Sequence, residues 1–415
     1  MKVDRVWPAG WEGLDGSSDD GKAGRGRGGR SSAMKAAVIG GGLAGCSTAI
    51  GLRAVGVDVT VFEAAKGPRY GGGSLSLFPR GTAALGALGI GGPLGLAIET
   101  VSMIHYRSGQ LLTRADLAGG TQRAGYPYAV VTRDEVLSRL LDHLGDQVTY
   151  GRRCSRAAVE GDAVKIDFED GGGTQVDLVV AADGTGSILR SSLWPEEENR
   201  FLSVAWQGMS PMPESYPGPA EVTLLYGPGS FAGLFPSSDG RLGWFADRRR
   251  ELTTGMTDAT AEAVLANFGE LPELLAQVIA AVDPATVQSY PIWVRRPPRH
   301  LAHGRLALVG DAAHTVSPSA GQGASEAFND AVALCYALAN RQDIEAGLKY
   351  YSRLRARRAR EVWRSSLLPM GNLYHRLIQG TAHIPDALFR PAFERGMRPG
   401  RTVRKAADLP TMSAD

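Results

Sequence analysis

Three segments of this chain contain the residues whose types and spacing could do chemistry. The first is Gly40-Gly41-Gly42-Leu43-Ala44-Gly45, the second runs from 177 to 190, and the third runs from 308 to 323. Each follows a short apolar run, as a loop at the end of a buried strand does. Glycines in such loops let the backbone approach a phosphate, and carboxylates there can accept hydrogen bonds from sugar hydroxyls.

The first segment has the G-x-G-x-x-G spacing of a dinucleotide-binding turn. Gly40 permits a tight turn, Gly42 lets the backbone approach a pyrophosphate, and Gly45 lets the following helix pack against the strand. That helix is predicted over 43–55, between strands 35–39 and 59–62. Its first amides, at Leu43 and Ala44, would point at the phosphates with the positive end of the helix dipole.

Glu63 ends the second predicted strand, 18 residues after Gly45. An acid near this distance binds a ribose hydroxyl in such folds. Its negative charge would repel a 2′-phosphate, which favours FAD or NAD over NADPH at this position.

The other two segments place an aspartate directly after a strand. Asp183 follows the predicted strand 176–182, and Gly310-Asp311 follows the predicted strand 305–309. Pro318 then stiffens a turn, and Gly321-Gln322-Gly323 opens a helix predicted over 324–339. Bare amides at that helix start suit a flavin, whose reduced ring carries negative charge. The three segments together, in this order, predict FAD rather than an unspecified dinucleotide.

With these segments in place, the chain resembles the class A FAD-dependent aromatic monooxygenases, the group of para-hydroxybenzoate hydroxylase, the polyketide hydroxylases and the tetracycline-inactivating monooxygenases. The resemblance rests on the glycine turn with Glu63, on Asp183-Gly184, and on GDAAH at 310–314 followed by GQG at 321–323. Thr132-Arg133-Asp-Glu-Val-Leu137 resembles the R-x-x-L helix start, whose arginine lies along the FAD. Two positions depart from the family pattern: Arg80 stands where many relatives have Asn, and Asn329 stands where the usual acid follows GQG.

The resemblance implies an α/β fold with a Rossmann-like FAD-binding domain of the glutathione reductase type, an interleaved β-sheet substrate domain and C-terminal helices. It implies one FAD, reduced by NADPH or NADH, that forms a C4a-hydroperoxide with O₂. One oxygen atom then hydroxylates or epoxidises an aromatic or polycyclic hydrophobic small molecule, in secondary metabolism such as antibiotic biosynthesis or in aromatic breakdown. Because the flavin performs the chemistry, no residue is predicted to be catalytic, and His314 is interpreted as structural.

The predicted domain boundaries follow the pattern of the elements. The FAD-binding domain takes 34–100, 127–200 and 296–365, and the substrate domain takes 101–126 and 201–295. Its predicted strands include 222–226, 230–235 and 241–246. The candidate substrate-pocket residues are the aromatic side chains of this sheet, Trp206, Phe231, Phe235, Trp244 and Trp293.

The two ends of the chain are predicted to lie outside these domains. Residues 1–33 are rich in Gly, Ser and Arg and are predicted to be a disordered extension, with Met34 as a candidate natural start. Residues 366–415 are predicted to form a helical tail. The basic run 353–360 is interpreted as a solvated helix face.

The composition of the chain limits which classes of partner are expected. With 45 Lys+Arg against 43 Asp+Glu, the formal charge is +2, which gives no reason to expect nucleic acid. No stretch approaches the ~20 apolar residues of a membrane helix. The three scattered cysteines have no metal-ligand spacing and indicate a reducing cytoplasm, with Cys46 a small buried residue. A monomer or homodimer is expected.

Two other functions stay open at this stage. A flavin-dependent halogenase or a reductase of related fold is one, although none of the seven tryptophans forms the W-x-W of halogenases. A flavoprotein that binds a ligand without oxygenating it is the other.

Overall fold

The computed structural model describes residues 33–106, 108–194, 198–255, 257–368 and 402–403, so most of the predicted leader and tail lie outside the described residues. Within these ranges the helices are α1 (Leu43–Ala54), α2 (Pro79–Ala87), α3 (Ala118–Ala124), α4 (Arg133–Leu144), α5 (Ile188–Leu193), α6 (Ala261–Phe268), α7 (Glu273–Ala280), α8 (Gly323–Ala339) and α9 (Ile344–Ser366).

The strands lie between these helices along the chain, singly or in runs of several. They are β1 (Lys35–Ile39), β2 (Asp58–Glu63), β3 (Ser74–Leu77), β4 (Leu96–Ala97), β5 (Thr100–His105), β6 (Leu111–Asp116), β7 (Ala129–Thr132), β8 (Val148–Tyr150), β9 (Cys154–Glu160), β10 (Ala163–Phe168), β11 (Gly173–Val176), β12 (Leu178–Ala181), β13 (Arg200–Pro211), β14 (Glu221–Gly227), β15 (Ser230–Pro236), β16 (Arg241–Arg249), β17 (Gln288–Val294), β18 (Ala302–His303) and β19 (Leu306–Leu308).

A six-stranded sheet with the order β18-β19-β12-β1-β2-β8 carries the three predicted segments. The five strands from β19 to β8 run parallel, so their carboxyl ends meet at one edge. β12 is buried along its whole length and β1 from its second residue onward, as parallel strands covered on both faces are. α1, α4 and α8 pack beside this sheet in the largest apolar cluster of the described residues. The Rossmann-like α/β fold predicted from the sequence is confirmed.

A seven-stranded sheet, β17-β13-β16-β15-β14-β5-β6, forms a second layer. Its strands pair antiparallel except for β14 and β5, which run parallel. One face, here called the back face, packs against α6 and α7. The other, here called the front face, meets the third predicted segment, because Asp247 of β16 accepts a hydrogen bond from Ser319 at 3.0 Å. On the same face, Gly243 lies against Ser74 of β3, which pairs with β7 in a separate three-stranded sheet. The domain boundaries predicted above remain a prediction.

The predicted elements lie close to the observed ones, with one error of interpretation. The basic run 353–360 forms part of a helix, α9, but only part of the run is a solvated face: Arg353 and Arg357 are exposed, whereas the Arg355 side chain is only 7% exposed and binds two buried carboxylates. The prediction was wrong for Arg355 because this side of α9 packs against α8, where a charge must be paired inside the protein.

Candidate active site

The three segments meet at the carboxyl edge of the parallel sheet, where their backbones touch. A Cβ at Gly40 would lie 2.4 Å from the Ala182 carbonyl oxygen, just before Asp183. A Cβ at Gly310 would lie 2.6 Å from the Ala44 side chain in the first turn of α1. Both glycines also have a left-handed backbone, with φ +112° and +58°. The sequence-distant motifs therefore form one continuous rim.

The glycine turn leaves the start of α1 open. A Cβ at Gly45 would collide with the Gly40 carbonyl oxygen at 1.8 Å, so this glycine is needed for the turn itself. A Cβ at Gly42 would meet no heavy atom within 4 Å. Gly42 is the N-cap of α1, and no side chain caps its amides. The first turn of α1 therefore presents unpaired N–H groups to open space, as an anion site does.

Glu63 holds the glycine turn from the neighbouring strand. Its Oε2 accepts a hydrogen bond from the Gly41 amide at 2.7 Å, and its Oε1 accepts one from the Ala65 amide at 2.7 Å. Arg69 lies 3.4 Å from the same Oε1. The carboxylate stays half-exposed at the rim, where its remaining lone pairs are available to a ligand.

The two aspartates lie on either side of the rim with acceptor capacity to spare. Asp183 Oδ2 accepts from the Ile188 amide at 3.1 Å, while its buried Oδ1 has no partner. Burial raises the pKa of the Asp183 carboxyl. Asp311 is exposed although Gly310 and Ala312 beside it are buried, so its side chain points out of the core into the cleft.

The loop before α8 closes the other side of the cleft. Pro318 is exposed, and Gly321, Gln322 and Gly323 are half-buried, whereas α8 is buried from Ser325 onward for most of its length. No side chain caps α8, so its first amides are unpaired like those of α1. Arg133 lies further along the cleft, and its guanidinium donates to the Arg69 and Gly71 carbonyls at 2.7 and 3.4 Å.

These features fit a dinucleotide with a flavin ring. Two uncapped helix starts suit the pyrophosphate and the ring, and Glu63, Asp183 and Asp311 suit the hydroxyls between and beyond them. Every cofactor-binding residue predicted from the sequence lies along this rim or supports it from beneath, as Gly45 and Gly310 do. Their individual contacts with the cofactor remain predictions.

A buried ionic network beneath the cleft was not anticipated from the sequence. Glu326 of α8 lies 3.1 Å from Arg80 of α2, 2.6 Å from Arg355 and 3.0 Å from Arg358, both of α9. These arginines hold the pKa of the Glu326 carboxyl well below its usual range against the opposing effect of burial. Arg358 also donates to Gln322 at 2.8 Å, so the network reaches the cleft loop.

One helical turn further along α8, Asp330 extends the network to the GDAAH segment. Asp330 accepts from Arg355 at 2.6 Å, from the Gly310 amide at 2.9 Å and lies 2.6 Å from His314 Nε2. Burial disfavours the charged imidazole, but Asp330 outweighs burial and raises the pKa of His314. The signal in the sequence was two acids four residues apart on a helix that is otherwise apolar.

The two positions that depart from the family pattern belong to this supporting layer. Arg80 is buried on α2 and faces Glu326 rather than the cleft. Asn329 is buried on α8, where its amide donates to the Arg80 and Ser325 carbonyls at 3.1 and 2.7 Å. Both therefore join α2 to α8.

The front face of the seven-stranded sheet bounds the cleft opposite the parallel sheet. Its half-exposed members are Gln207, Leu224, Phe235, Phe245 and Tyr290. Side chains at the centre of a two-layer protein are exposed only where the layers leave a gap. This accessible part of the front face is therefore mainly apolar, with two neutral polar groups joined by a 3.0 Å hydrogen bond from Tyr290 to Gln207.

The structure separates the five aromatic residues predicted for the substrate pocket. Phe231 and Phe235 lie on the front face, in register with Asp247 and Gly243. Trp206 and Trp244 point to the back face, where they are 0% and 2% exposed among the side chains of α6 and α7. They are core residues, because alternate residues of a strand face opposite sides and composition alone does not say which side.

Trp293 also lies away from the cleft. It is 39% exposed and packs on Phe201, with ring centroids 5.1 Å apart. The prediction that Trp206, Trp244 and Trp293 line the substrate pocket is therefore wrong. The half-exposed front-face residues take their place as candidates.

Asp247 is the acidic residue of the front face between the strand ends, and sequence reasoning missed it. It is 0% exposed, and its Oδ2 accepts from Ser319 at 3.0 Å and Ser203 at 3.4 Å. Its Oδ1 has no hydrogen-bond partner. Burial raises the pKa of the Asp247 carboxyl to about 7, and the two hydroxyls offset this only in part.

Several known proteins resemble this chain in sequence. A sequence family described as "FAD binding domain" matches residues 33–366. The FAD-dependent urate hydroxylase of Klebsiella pneumoniae is 34% identical over 339 residues, which are 79% of this chain and 88% of that protein. The 3-amino-4-hydroxybenzoate 2-monooxygenase of Streptomyces cremeus is 29% identical over 85% of this chain and 89% of its own length.

Solved structures agree with the sequence relatives. Klebsiella pneumoniae HpxO complexed with FAD and uric acid superimposes with a TM-score of 0.76 and 30% identity, covering 91% of this chain and 96% of that one. A salicylate hydroxylase substrate complex has the same fold, with a TM-score of 0.73, 21% identity and coverage of 92% and 98%.

The chain belongs to the FAD-binding-domain family, in the class A FAD-dependent aromatic monooxygenases. The family resemblance and the FAD cofactor predicted from the sequence are confirmed, and the protein is an oxidoreductase. Among the described residues, no helix is both long enough and apolar enough to cross a membrane.

Proposed function

We propose that this protein binds an aromatic small molecule between the front face and the FAD cleft, and inserts into it one atom of O₂ at the expense of NADPH or NADH. The observation that carries the proposal is the contact between the front face and the loop before α8, where Ser319 donates to Asp247 at 3.0 Å, and the substrate space would lie beside this contact. The carboxyl edge of the parallel sheet, with its two uncapped helix starts, bounds that space on one side, and the half-exposed front face bounds it on the other.

The residues of the chain would bind and orient the cofactor. The amides at the start of α1 would hold the pyrophosphate, while Glu63, Asp183 and Asp311 would accept hydrogen bonds from the sugar and ribityl hydroxyls. The amides at the start of α8 would favour negative charge on the ring. When bound and reduced, FAD supplies the electrons and the activated oxygen.

The front face would hold the substrate and keep water away. Leu224, Phe235 and Phe245 offer an apolar surface of the kind that binds a flat ring, and ring contacts of this type add about 0.5–1.5 kcal/mol beyond their buried area. A dry cavity matters because water would divert the reactive oxygen from the substrate. A cytoplasmic location, a single chain or homodimer, and the choice between NADPH and NADH belong to the same proposal.

The test is coupled turnover. The purified chain, loaded with FAD, is mixed with NADPH or NADH and a panel of phenols and fused-ring arenes, and nucleotide oxidation is followed together with product mass. We expect one or more ligands to accelerate oxidation and to gain one oxygen atom, which is isotopically labelled when labelled O₂ is supplied. Ligand binding without acceleration in any member of the panel would instead indicate a flavoprotein that binds without oxygenating.

A further inference from the structure

The negative charge of Asp247 on the front face restricts the charge that a substrate can carry. We infer that the substrate is uncharged where it meets this face, and that Asp247 is the specificity-determining residue that disfavours aromatic carboxylates. This inference rests on the proposed function, because it assumes that the space between the front face and the cleft is the substrate site.

Asp247 lies between the ring-binding surface and the flavin loop. It is in direct cross-strand register with Phe231 on β15 and two residues from Phe245 on its own strand. From the opposite layer, Ser319 of the Pro318–Ala320 turn donates to its Oδ2. Phe231 is buried beside the acid, whereas Phe245 is half-exposed. Residues two apart on a strand share a face at a spacing of about 7 Å, so a ring placed on Phe245 lies roughly that far from this acid.

No cation of the described residues neutralises Asp247. The side chains that face it are the Ser203 and Ser319 hydroxyls, Phe231 and Tyr290, and among the described residues it forms no ion pair with an arginine, lysine or histidine. The cations of this face lie at the strand ends: Arg241 is 2.7 Å from Asp239, and Arg249 is 3.2 Å from Glu251. A carboxylate group of a ligand placed beside Asp247 would therefore meet an acid and no cation from this face.

The same part of the front face can bind a neutral ring that carries a hydrogen-bond donor. Tyr290 lies near Asp247 and donates to Gln207 at 3.0 Å, and Gln207 donates to Gln288 at 2.7 Å, so this chain of polar groups is uncharged. Such groups can satisfy a hydroxyl or amide, whereas they cannot balance a full negative charge. The substrate class is therefore a neutral arene, with hydroxyl or amide substituents permitted and carboxylates excluded.

The test compares ligands that share a ring. Phenol is paired with benzoate, and naphthol with naphthoate, at about pH 8, where the arenols are neutral. Binding to the FAD-loaded protein is measured from the perturbation of the flavin absorbance, without nucleotide. At an effective dielectric constant of ~20 and a separation of ~7 Å, the repulsion between Asp247 and a ligand carboxylate should weaken binding of the carboxylate relative to the arenol by roughly tenfold to fiftyfold.

Substitution of the acid tests its role directly. Asp247→Asn is expected to reduce the preference for arenols by roughly tenfold, mainly by tightening carboxylate binding, while Asp142→Asn on the exposed face of α4 leaves it unchanged. Asp247→Ser, a smaller neutral variant, should do the same if the asparagine variant does not retain FAD. Equal or tighter binding of carboxylates by the unmodified protein, an unchanged preference in both variants, or no binding of any arenol overturns the inference.

The two proposals fail in different ways. If carboxylates are bound and oxygenated at least as well as arenols, the inference is wrong while the oxygenase function stands. If arenols bind selectively but no ligand accelerates NADPH or NADH oxidation, the selectivity stands and the proposed function fails.

Discussion

The glycines at the cleft have two different roles: some are required by the packing of the protein backbone, and one could be required only by a ligand. Gly40 and Gly45 are required by the protein itself, since a Cβ at either would strike backbone at 2.4 or 1.8 Å. Gly42 is surrounded by open space, so only a ligand could require its lack of a side chain.

This contrast predicts opposite outcomes for two alanine variants. Gly42→Ala should keep the melting temperature of the FAD-free protein but weaken FAD binding by at least about tenfold, because the methyl group occupies the space of the pyrophosphate. Gly45→Ala should lower the melting temperature itself. Fluorescence titration with FAD and thermal denaturation measure the two effects, and Gly67→Ala, also in open space but away from the helix start, is the matched control. Unchanged FAD affinity in Gly42→Ala would remove this turn from the cofactor site.

Asp247 makes stability depend on pH in a predictable direction. Its folded pKa of about 7 lies above the ordinary value of 3.8, so its contribution to stability is complete below about pH 4 and is lost as the pH rises through about 7. Asp247→Asn removes this loss. Relative to the unmodified protein, the variant should therefore gain about 2.6 kcal/mol of stability between pH 5 and pH 8.

The free energy of unfolding of Asp247→Asn and of the unmodified protein is measured by thermal or urea denaturation at pH 5 and at pH 8. Asp142→Asn, exposed on α4, should track the unmodified protein at both. A stability difference for Asp247→Asn that does not change with pH would contradict the assigned environment of this carboxyl.

At the scale of elements, α8 is held in place by charge from both sides. Glu326 pairs with Arg80 of α2 and with Arg355 and Arg358 of α9, and Asp330 binds the Gly310 amide. The start of α8 and the Gly310 turn are both part of the cofactor rim, so this network positions the rim from beneath.

Removal of the central carboxylate should therefore affect both stability and cofactor. Glu326→Gln leaves three buried or half-buried guanidinium groups short of a counter-charge, and such a loss costs about 3–5 kcal/mol. We expect a lower melting temperature together with weaker FAD retention on gel filtration. Glu361→Gln, which breaks an exposed pair on the same helix α9, should cost under about 1 kcal/mol. Similar effects for the two variants would show that the buried network does not support the cleft.

At the scale of the whole molecule, the substrate site exists only because two layers face each other. The front face contributes half-exposed rings, and the back face buries Trp206 and Trp244 against α6 and α7. Substrate recognition and domain stability are thus carried by opposite sides of the same sheet.

Variants on the two faces should separate these roles. Phe245→Ala on the front face is expected to raise the KM for an accepted arenol by about tenfold, with a small change in melting temperature because the ring is half-exposed. Trp206→Ala on the back face should destabilise by about 3–5 kcal/mol, the usual loss for a buried large ring, and leave KM nearly unchanged in the folded fraction. Steady-state kinetics measures KM, and thermal denaturation measures stability. If Trp206→Ala raised KM and Phe245→Ala did not, the assignment of the two faces would be reversed.

Local sequence patterns were sufficient for much of this molecule. Strand β1, the glycine turn and α1 were predicted almost to the residue, because the turn needs specific glycines and the strand is one apolar run. The hairpin strands of the second sheet were also predicted, since alternation and turn residues are local signals. The pocket tryptophans were predicted wrongly, because a strand covered on both faces has no polar side to mark its direction.

The sequence by itself determined the family, the cofactor and the order of the three binding segments, because each of these depends on residue types at short spacing. Only the tertiary structure decided which sheet face meets the cleft, how Arg80, Glu326 and Arg355 neutralise one another, and that Asp247 lies buried without a cation. Those properties depend on contacts between residues far apart along the chain. Burial and pairing decide the energy of a charge, and neither can be deduced from neighbouring residues in the sequence.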